Sequence, residues 1–494
     1  MERLLLIIVL VLNIGTVLGQ QSFVKTFGDS KTELPTSIKQ IGDSYFLTQI
    51  TATQQSLYDK VAKITKLNKF GNITSSLSFP VKNRVYTDFD YILPLDNGEF
   101  IIIGNRSYEN SPYVKMWVVK MDTLLNVHWE NEYYTNWSIV NSVSAAINYQ
   151  GNIIIGCGAG SGTSPNYLFS AYLLEISLLG DSLRSNSLTP GSGSTFTNLE
   201  SILPFNGYYK AFVQGYYAYT NTVTQILLLD TDLNLIEVRP IPGSIDAYLN
   251  AAKTNEDEYY LTGKVYETGT HYDVAIAKFD TFENTLAYNE AGSPGNSVDY
   301  TAWKQCMAIA DSNSIYTGGT GNDNGNFYAC HENYMKAMML SNYDSELNCR
   351  WTYFYGSDTA CYTMSTMDAT SDGGCVMAGI YYDPSRPEKM LDVIVIKVDR
   401  TGIITGTKGV QDITSRNAIV FPNPGKDRIH IKSGPQIEGS LFMLHTMSGQ
   451  VVSTISLNST DEQLNAESLA PGVYPWIIIK NGKLIEQGKW IKQQ

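Results

Sequence analysis

An all-β architecture is what this sequence predicts: a seven-bladed β-propeller followed by a small C-terminal β-sandwich. Three observations predict it. One strand-and-turn phrase recurs seven times. The composition favours strands and turns, with 33 Tyr and 40 Gly and little sustained helical periodicity. Beyond Ile413 the phrase stops, and a different set of alternating strands begins.

The phrase has two halves. The first is a turn, a short apolar strand and usually a Gly: GDSYFLTQI from Gly42, DNGEFIIIG from Asp96, QGNIIIG from Gln150, NGYYKAFVQG from Asn206, EDEYYLTG from Glu256, DSNSIYTGG from Asp311 and SDGGCVMAG from Ser371. The second is another apolar strand ending near Asp or Asn: VAKITKLN, WVVKMD, AYLLEIS, QILLLD, VAIAKFD, MKAMMLS and VIVIKVD. A repeat of roughly 50–60 residues lies within reach of propeller periods. Weaker strands flank each pair, such as SAAINY from Ser144 and HWENEY from His128. Each unit therefore reads as four strands, A to D from the axis outward. SFVKTFG at Ser22 is an additional D-like strand, placed to close the ring beside the last blade.

Repetition separates architecture from chemistry. Gly104, Gly156, Gly215, Gly263, Gly319 and Gly379 end strand B. They read as relief from crowding or as a turn of positive φ; the first copy has Gln49 near this place. Asn68, Asp122, Asp230, Asp280 and Asp399 follow strand C and suit tight turns.

At the N-terminus, Arg3 precedes an apolar run from Leu4 to Leu12 and a small-residue exit at Gly19. This is a secretory signal, residues 1–19, with cleavage expected near Gly19-Gln20. The mature chain shows no further stretch long enough for a transmembrane helix. A net charge of -13 argues against nucleic-acid partners. The six Cys leave the cytoplasm, so disulfides are allowed. Cys330 and Cys361 are expected to pair, because both fall in connections opening on the same face of neighbouring blades. Cys157 is expected to be a buried free thiol.

The repeats, from about Ser22 to Gly409, resemble the bacterial β-propeller repeat families of secreted proteins and are loosely similar to kelch repeats. The tail from Asn417 resembles the type A sorting domain of the type IX secretion system of Bacteroidetes. The matching pieces are Phe421-Pro422-Asn423-Pro424, the hairpin around Gly449, Pro471-Gly472-Val473-Tyr474 and the basic ending Lys489-Trp490-Ile491-Lys492. The resemblance implies a translocon partner at the outer membrane, then release or surface attachment. The expected domains are thus 20–413 for the propeller and 417–494 for the sorting domain. Pro475 departs from the family's apolar strand and implies a bulge or a locally unpaired edge.

No familiar catalytic motif stands out: HExxH, GxSxG and P-loop patterns are absent. No cofactor is expected. Calcium is the alternative at Asp230-Thr231-Asp232-Leu233-Asn234 or near Asp323, Asn324 and Asn326, where turn chemistry competes. Variation concentrates in the B–C and D–A connections, which open on one face. Function gravitates to such loops. The B–C connections carry Tyr58, Tyr108, Tyr113, Tyr167, Tyr219, Tyr272, Tyr328, Tyr334 and Tyr381, a residue type suited to glycan or protein recognition. The leading expectation is a monomeric, non-catalytic binding or adhesion protein, secreted or attached to the surface. The alternatives are a propeller hydrolase or lyase acting on polysaccharide, with Asp323, His331, Glu332, Arg386 and Glu388 as candidates, and a structural surface component.

Overall fold

A computed structural model gives the fold. It describes residues 22–404 and 418–492, apart from residues 30, 54–55, 80–86, 110, 112, 135–138, 162–167, 189–193, 218–220, 267–271, 293–297, 322–335, 358–359, 386–390, 423–424, 434–436, 447–449, 460 and 481–482. The regular structure is all-β, arranged as successive antiparallel sheets in a propeller-like manner.

In the repeat region each sheet is a meander of consecutive strands, with one exception. The last sheet takes Cys361–Ala369, Cys375–Tyr382 and Asp392–Val398 from one end of the repeats, and Phe23–Phe27 from the other. The expected D-like strand is therefore found beside the last three repeat strands. Its Phe23 side chain lies against the first C–D turn, so close to Gly71 that a Cβ there would meet the ring at 2.5 Å.

The innermost strands are Thr32–Ile41, Thr87–Pro94, Ile139–Ile147, Ser194–Phe205, Ile245–Lys253, Met307–Asp311 and Cys361–Ala369. Each touches the next, and the last touches the first. Side chains stitch these strands together. The Ser37 hydroxyl accepts from Ile92 N–H, Ser144 from Ile202, Ser201 from Ala251 and Thr366 from Ile38. The last of these joins the final sheet to the first. Between them, apolar strand faces form the intersheet core, as with Ile101, Ile103 and Val118 against Ile153, Ile155 and Leu174.

The C–D turns share one construction. Asp122 Oδ1 accepts the N–H groups of Leu124 and Asn126 at 2.8 and 2.9 Å, and Oδ2 accepts the Asn126 amide. Asp230 and Asp280 repeat this with Asn234 and Asn284. At Asp230, where a calcium loop was the alternative, the carboxylate oxygens thus accept from N–H donors of their own turn. The turn exposes a carbonyl that the preceding sheet captures: Asn131 donates to Gly180 O, Asn186 to Leu233 O, Asn289 to Leu347 O and Tyr355 to Gly402 O. The residue that heads the turn, Ser177 in the third copy and Asp in the others named, therefore helps present a carbonyl to the neighbouring sheet.

The repeated Gly in strand B has a steric cause. A Cβ on Gly104, Gly319 or Gly379 would lie 1.9, 2.1 or 1.8 Å from the carbonyl oxygens of Asp88, Tyr300 and Thr363. None of the three is left-handed, so crowding, and not positive φ, explains them.

The tail forms one sheet from Ala418–Phe421, Arg428–Ser433 and Asp461–Asn465, and another from Val451–Leu457, Ser440–His445, Gly472–Lys480 and Lys483–Lys492. Both contribute to one core, with Trp476 and Trp490 at its centre beside Ile429, Phe442 and Tyr474. Pro475 sits where its strand pairs on one side alone: pairing with Ser440–His445 stops at Trp476. Its missing N–H therefore breaks no ladder bond, and the bulge in this strand pair falls instead at Ile478/Ile479.

Candidate functional site

The crowding at Gly104 and Gly379 comes with an irregularity of the innermost strand. Register slips there between Phe89 and Tyr91, and between Met364 and Thr366. Similar slips occur between Pro35 and Ser37 and between Leu199 and Ser201, and a longer irregularity lies between Asp246 and Asn250. In the sixth sheet the innermost strand is split into Tyr300–Thr301 and Met307–Asp311. A bulge inserts one residue that has no partner opposite and re-aims its side chain. The inserted residues are Thr36, Asp90, Glu200 and Ser365, and Trp303, Lys304 and Gln305 occupy the split.

Lys304, Asp90, Ser365 and Glu200 are brought together between the innermost strands. Lys304 Nζ lies 2.5 Å from Asp90 Oδ1, joining the sixth sheet to the second. Asp90 Oδ2 accepts from Asn105 Nδ2 at 3.0 Å, and the Asn105 N–H donates to Asp88 Oδ1 at 3.0 Å. Lys304 N–H donates to Ser365 O at 2.8 Å. The Lys304 ammonium stands 4.6 Å over the Trp303 ring, whose residue is 36% exposed. Glu200 Oε1, Gln305 Oε1 and Ser365 Oγ are buried with no hydrogen-bond partner among the described residues.

Enclosure shapes the electrostatics. Burial, then the neighbouring Asp90 carboxylate, pushes Asp88 up to about 7, against the pull of Lys304 and Lys60. Burial also pushes Glu200 up to about 7, opposed by a hydrogen bond from Asn198 and by Lys304. Burial works against the charge of Lys304, but Asp90, Asp88 and Glu200 outweigh it and hold its pKa above the ordinary lysine value. The site thus combines a lysine, two carboxyl groups whose proton affinity is raised by burial, and unsatisfied polar atoms. Such a combination binds polar ligands or moves protons. A second pair, Lys39 Nζ to Asp368 Oδ1 at 2.9 Å, joins the first and last sheets near the A–B turns.

The tyrosines anticipated at the rim are placed differently from one another. Tyr108 donates to Glu132, which also pairs with Arg106 at 2.8 Å and Lys115 at 2.6 Å, and Lys115 sits 4.6 Å over its ring. Tyr113 is exposed. Tyr272 packs 5.5 Å from Tyr300, with Lys264 over both rings. Tyr381 lies edge-on to Tyr362 at 5.3 Å. Tyr167, Tyr219, Tyr328 and Tyr334 fall outside the described residues, as does the side chain of Tyr58. So do Asp323, Asn324, Asn326, His331, Glu332, Arg386 and Glu388, and residues 1–19. Cys361 is disulfide-bonded, whereas Cys157, Cys306, Cys349 and Cys375 are free; Cys330 lies outside the described residues.

In the tail, Trp490 Nε1 donates to Pro422 O at 2.8 Å, and Tyr474 OH donates to Ala470 O at 2.8 Å. Lys492 is buried, its Nζ 2.5 Å from Lys426 O and 3.0 Å from Asp427 Oδ1. Gly472 opens its strand, and Lys489 is exposed. Asn423, Pro424 and Gly449 fall outside the described residues. The basic ending is therefore divided: one lysine locks the terminal strand to the turn after Pro422, and the other faces outward.

This tail has a counterpart among known families. Residues 419–493 match the secretion system C-terminal sorting domain. The chain carries such a domain at its end. No curated protein matches the chain. Among solved structures, it is similar to a protein of unknown function from Dyadobacter fermentans, with TM-score 0.44 and 11% identity over 64% of this chain and 96% of that one. It is also similar to the Trypanosoma rangeli sialidase in complex with the inhibitor DANA, at 0.41 and 9% over 86% of each. A third is the Pyrococcus horikoshii acylaminoacyl peptidase, at 0.42 and 12% over 83% of this chain and 59% of that one. Among the described residues no helix is long and apolar enough to cross a membrane, and no group of three or more His, Cys, Asp or Glu is placed to hold a metal.

Proposed function

We propose that this is a secreted or surface-displayed binding protein whose repeat sheets are seven blades of one closed propeller and whose ligand enters the axis. Export runs through the type IX secretion system, addressed by a sandwich-like C-terminal domain. Signal cleavage near Gly19-Gln20 leaves Phe23–Phe27 free to complete the last blade. The observation that supports the binding site is the set of bulges that insert Asp90, Glu200 and Ser365 into the innermost strands beside Lys304. A purely structural axis could be filled by apolar side chains, and buried polar atoms are costly unless paired. The innermost strands begin on the side of the long connections, so the site opens where loops vary most. The mature full-length chain, probed on glycan and protein arrays, is expected to lose its ligands when Glu200→Trp fills the axis and to keep them in Phe282→Ser on an exposed C–D turn. Retention of all ligands by Glu200→Trp, with the fold intact by circular dichroism, overturns the axial assignment.

Asp88 and Glu200 also favour a second reading. Carboxyl groups held near 7 are tuned for general acid–base work, which fits hydrolysis or lysis of a polysaccharide. A reducing-end assay on soluble plant and microbial polysaccharides tests it: activity abolished by Glu200→Gln supports this reading, and no activity from the wild-type chain rejects it.

A further inference from the structure

Resting on the axial reading above, we infer that the ligand is an uncharged saccharide, one of whose sugar rings stacks on Trp303 while its hydroxyl groups pair with Glu200, Gln305 and Ser365. Asp88, Asp90 and Glu200 all face the Lys304 ammonium, which is already engaged by Asp90 at 2.5 Å, and Asp88 also feels Lys60. No second cation reaches Glu200 among the influences on it. A uronate or sialate carboxylate entering here would face three carboxyl groups beside an ammonium already engaged by Asp90, and a buried charge without its own partner is strongly disfavoured.

The geometry then selects hydroxyl-rich ligands. Ser365 is 1% exposed, and its Oγ has no partner. Its neighbours fix its direction: Met364 packs toward Gly318 of the sixth sheet, and the Thr366 hydroxyl accepts from Ile38 of the first. Ser365 is the residue inserted between them. Lys304 ties it to the site through the Lys304 N–H to Ser365 O bond. Ser365 can donate or accept, and the Gln305 and Glu200 oxygens accept. A sugar hydroxyl does both, so it matches all three kinds of atom. Trp303 adds an apolar face with one edge in contact with water, which suits the C–H face of a pyranose. Lys304 over that ring preorganises it.

The test is binding of mature full-length protein at pH 7 to mannan, xylan and mixed-linkage β-glucan as neutral probes, and to polygalacturonate and polysialic acid as acidic ones. The inference expects at least one neutral polymer to bind, with Trp303→Ala weakening it by about tenfold or more and Ser365→Ala by less. Phe282→Ser leaves binding unchanged. Thermal melts of each variant show whether the fold survives; if Trp303→Ala fails to fold, Trp303→Phe replaces it, with a smaller loss expected. Preference for the acidic polymers, lost on Lys304→Met, overturns the saccharide class while leaving the axial reading standing. Neutral binding that ignores Trp303 and Glu200→Trp but depends on Tyr113 overturns both. No binding to any of the polymers overturns the inference alone.

Discussion

Replacing Lys304 by Met isolates the energetic consequence of the axial ion pair. The Asp90 side chain is 8% exposed and that of Lys304 16%. Removing the ammonium leaves a buried carboxylate whose remaining described partner is Asn105 Nδ2 at 3.0 Å. Breaking a buried pair by deleting one partner typically costs about 3–5 kcal/mol. The Asn105 bond and relief of strain from desolvating Lys304 place the expected loss near the lower end, about 3 kcal/mol. Asp90→Asn in the same background removes the stranded charge and should recover at least half of it, because a neutral amide requires no counterion. Urea titrations at pH 7 of wild type, both single variants and the double variant close the cycle. Unfolding of a large ring need not be two-state, so the comparison uses midpoints and slopes together. A loss below about 1 kcal/mol for Lys304→Met, the range of exposed pairs, would refute the claim that this pair is enclosed at the axis.

Four further outcomes are expected. Asp88 and Glu200 have folded-state pKa values raised to about 7; between roughly pH 4 and 7 the folded chain holds more protons than the unfolded one, so stability falls as pH rises through that window, and Glu200→Gln should flatten the fall seen in thermal melts at pH 5 and pH 8. Gly379→Ala places a Cβ 1.8 Å from Thr363 O and should destabilise by about 1–3 kcal/mol or more, whereas Gly156→Ala, which meets the movable Leu199 side chain at 2.6 Å, should cost less in the same chemical denaturation assay. Deleting Asn417–Gln494 should leave the repeats folded but retained in the periplasm, and fractionation showing normal surface delivery would reject the sorting assignment. Non-reducing peptide mapping should link Cys361 to Cys330; a different partner would reject the loop assignment.

Much of the architecture was legible because it repeats. Strand alternation, turn residues and the displaced strand at Phe23 follow from periodicity and local preference. The Asp after strand C was readable as a turn, but its second role was not: the carbonyl exposed at Leu233 or Gly402 is captured by Asn186 or Tyr355 of a different sheet, a long-range contact. The axial site was hidden for a related reason. Its residues occupy bulges, and a bulge leaves the side chain unconstrained by a partner opposite, so Thr36, Asp90, Glu200 and Ser365 share no residue type. The signal available was indirect. Gly104 and Gly379 marked close backbone approach, and the inserted residues lie directly across the sheet from that approach. Tyr108 lies in a long B–C connection suited to recognition, yet its hydroxyl is engaged by Glu132 and its ring is covered by Lys115.

Hydrogen–deuterium exchange on the mature full-length chain, with and without a saturating array-derived ligand, tests the axial binding site most directly. The account predicts new protection in peptides spanning 88–91, 198–201, 302–306 and 363–366, where the innermost strands bulge or split. Protection confined to the rim around Tyr108–Tyr113 and Tyr381–Asp383, with those peptides unchanged, would contradict it.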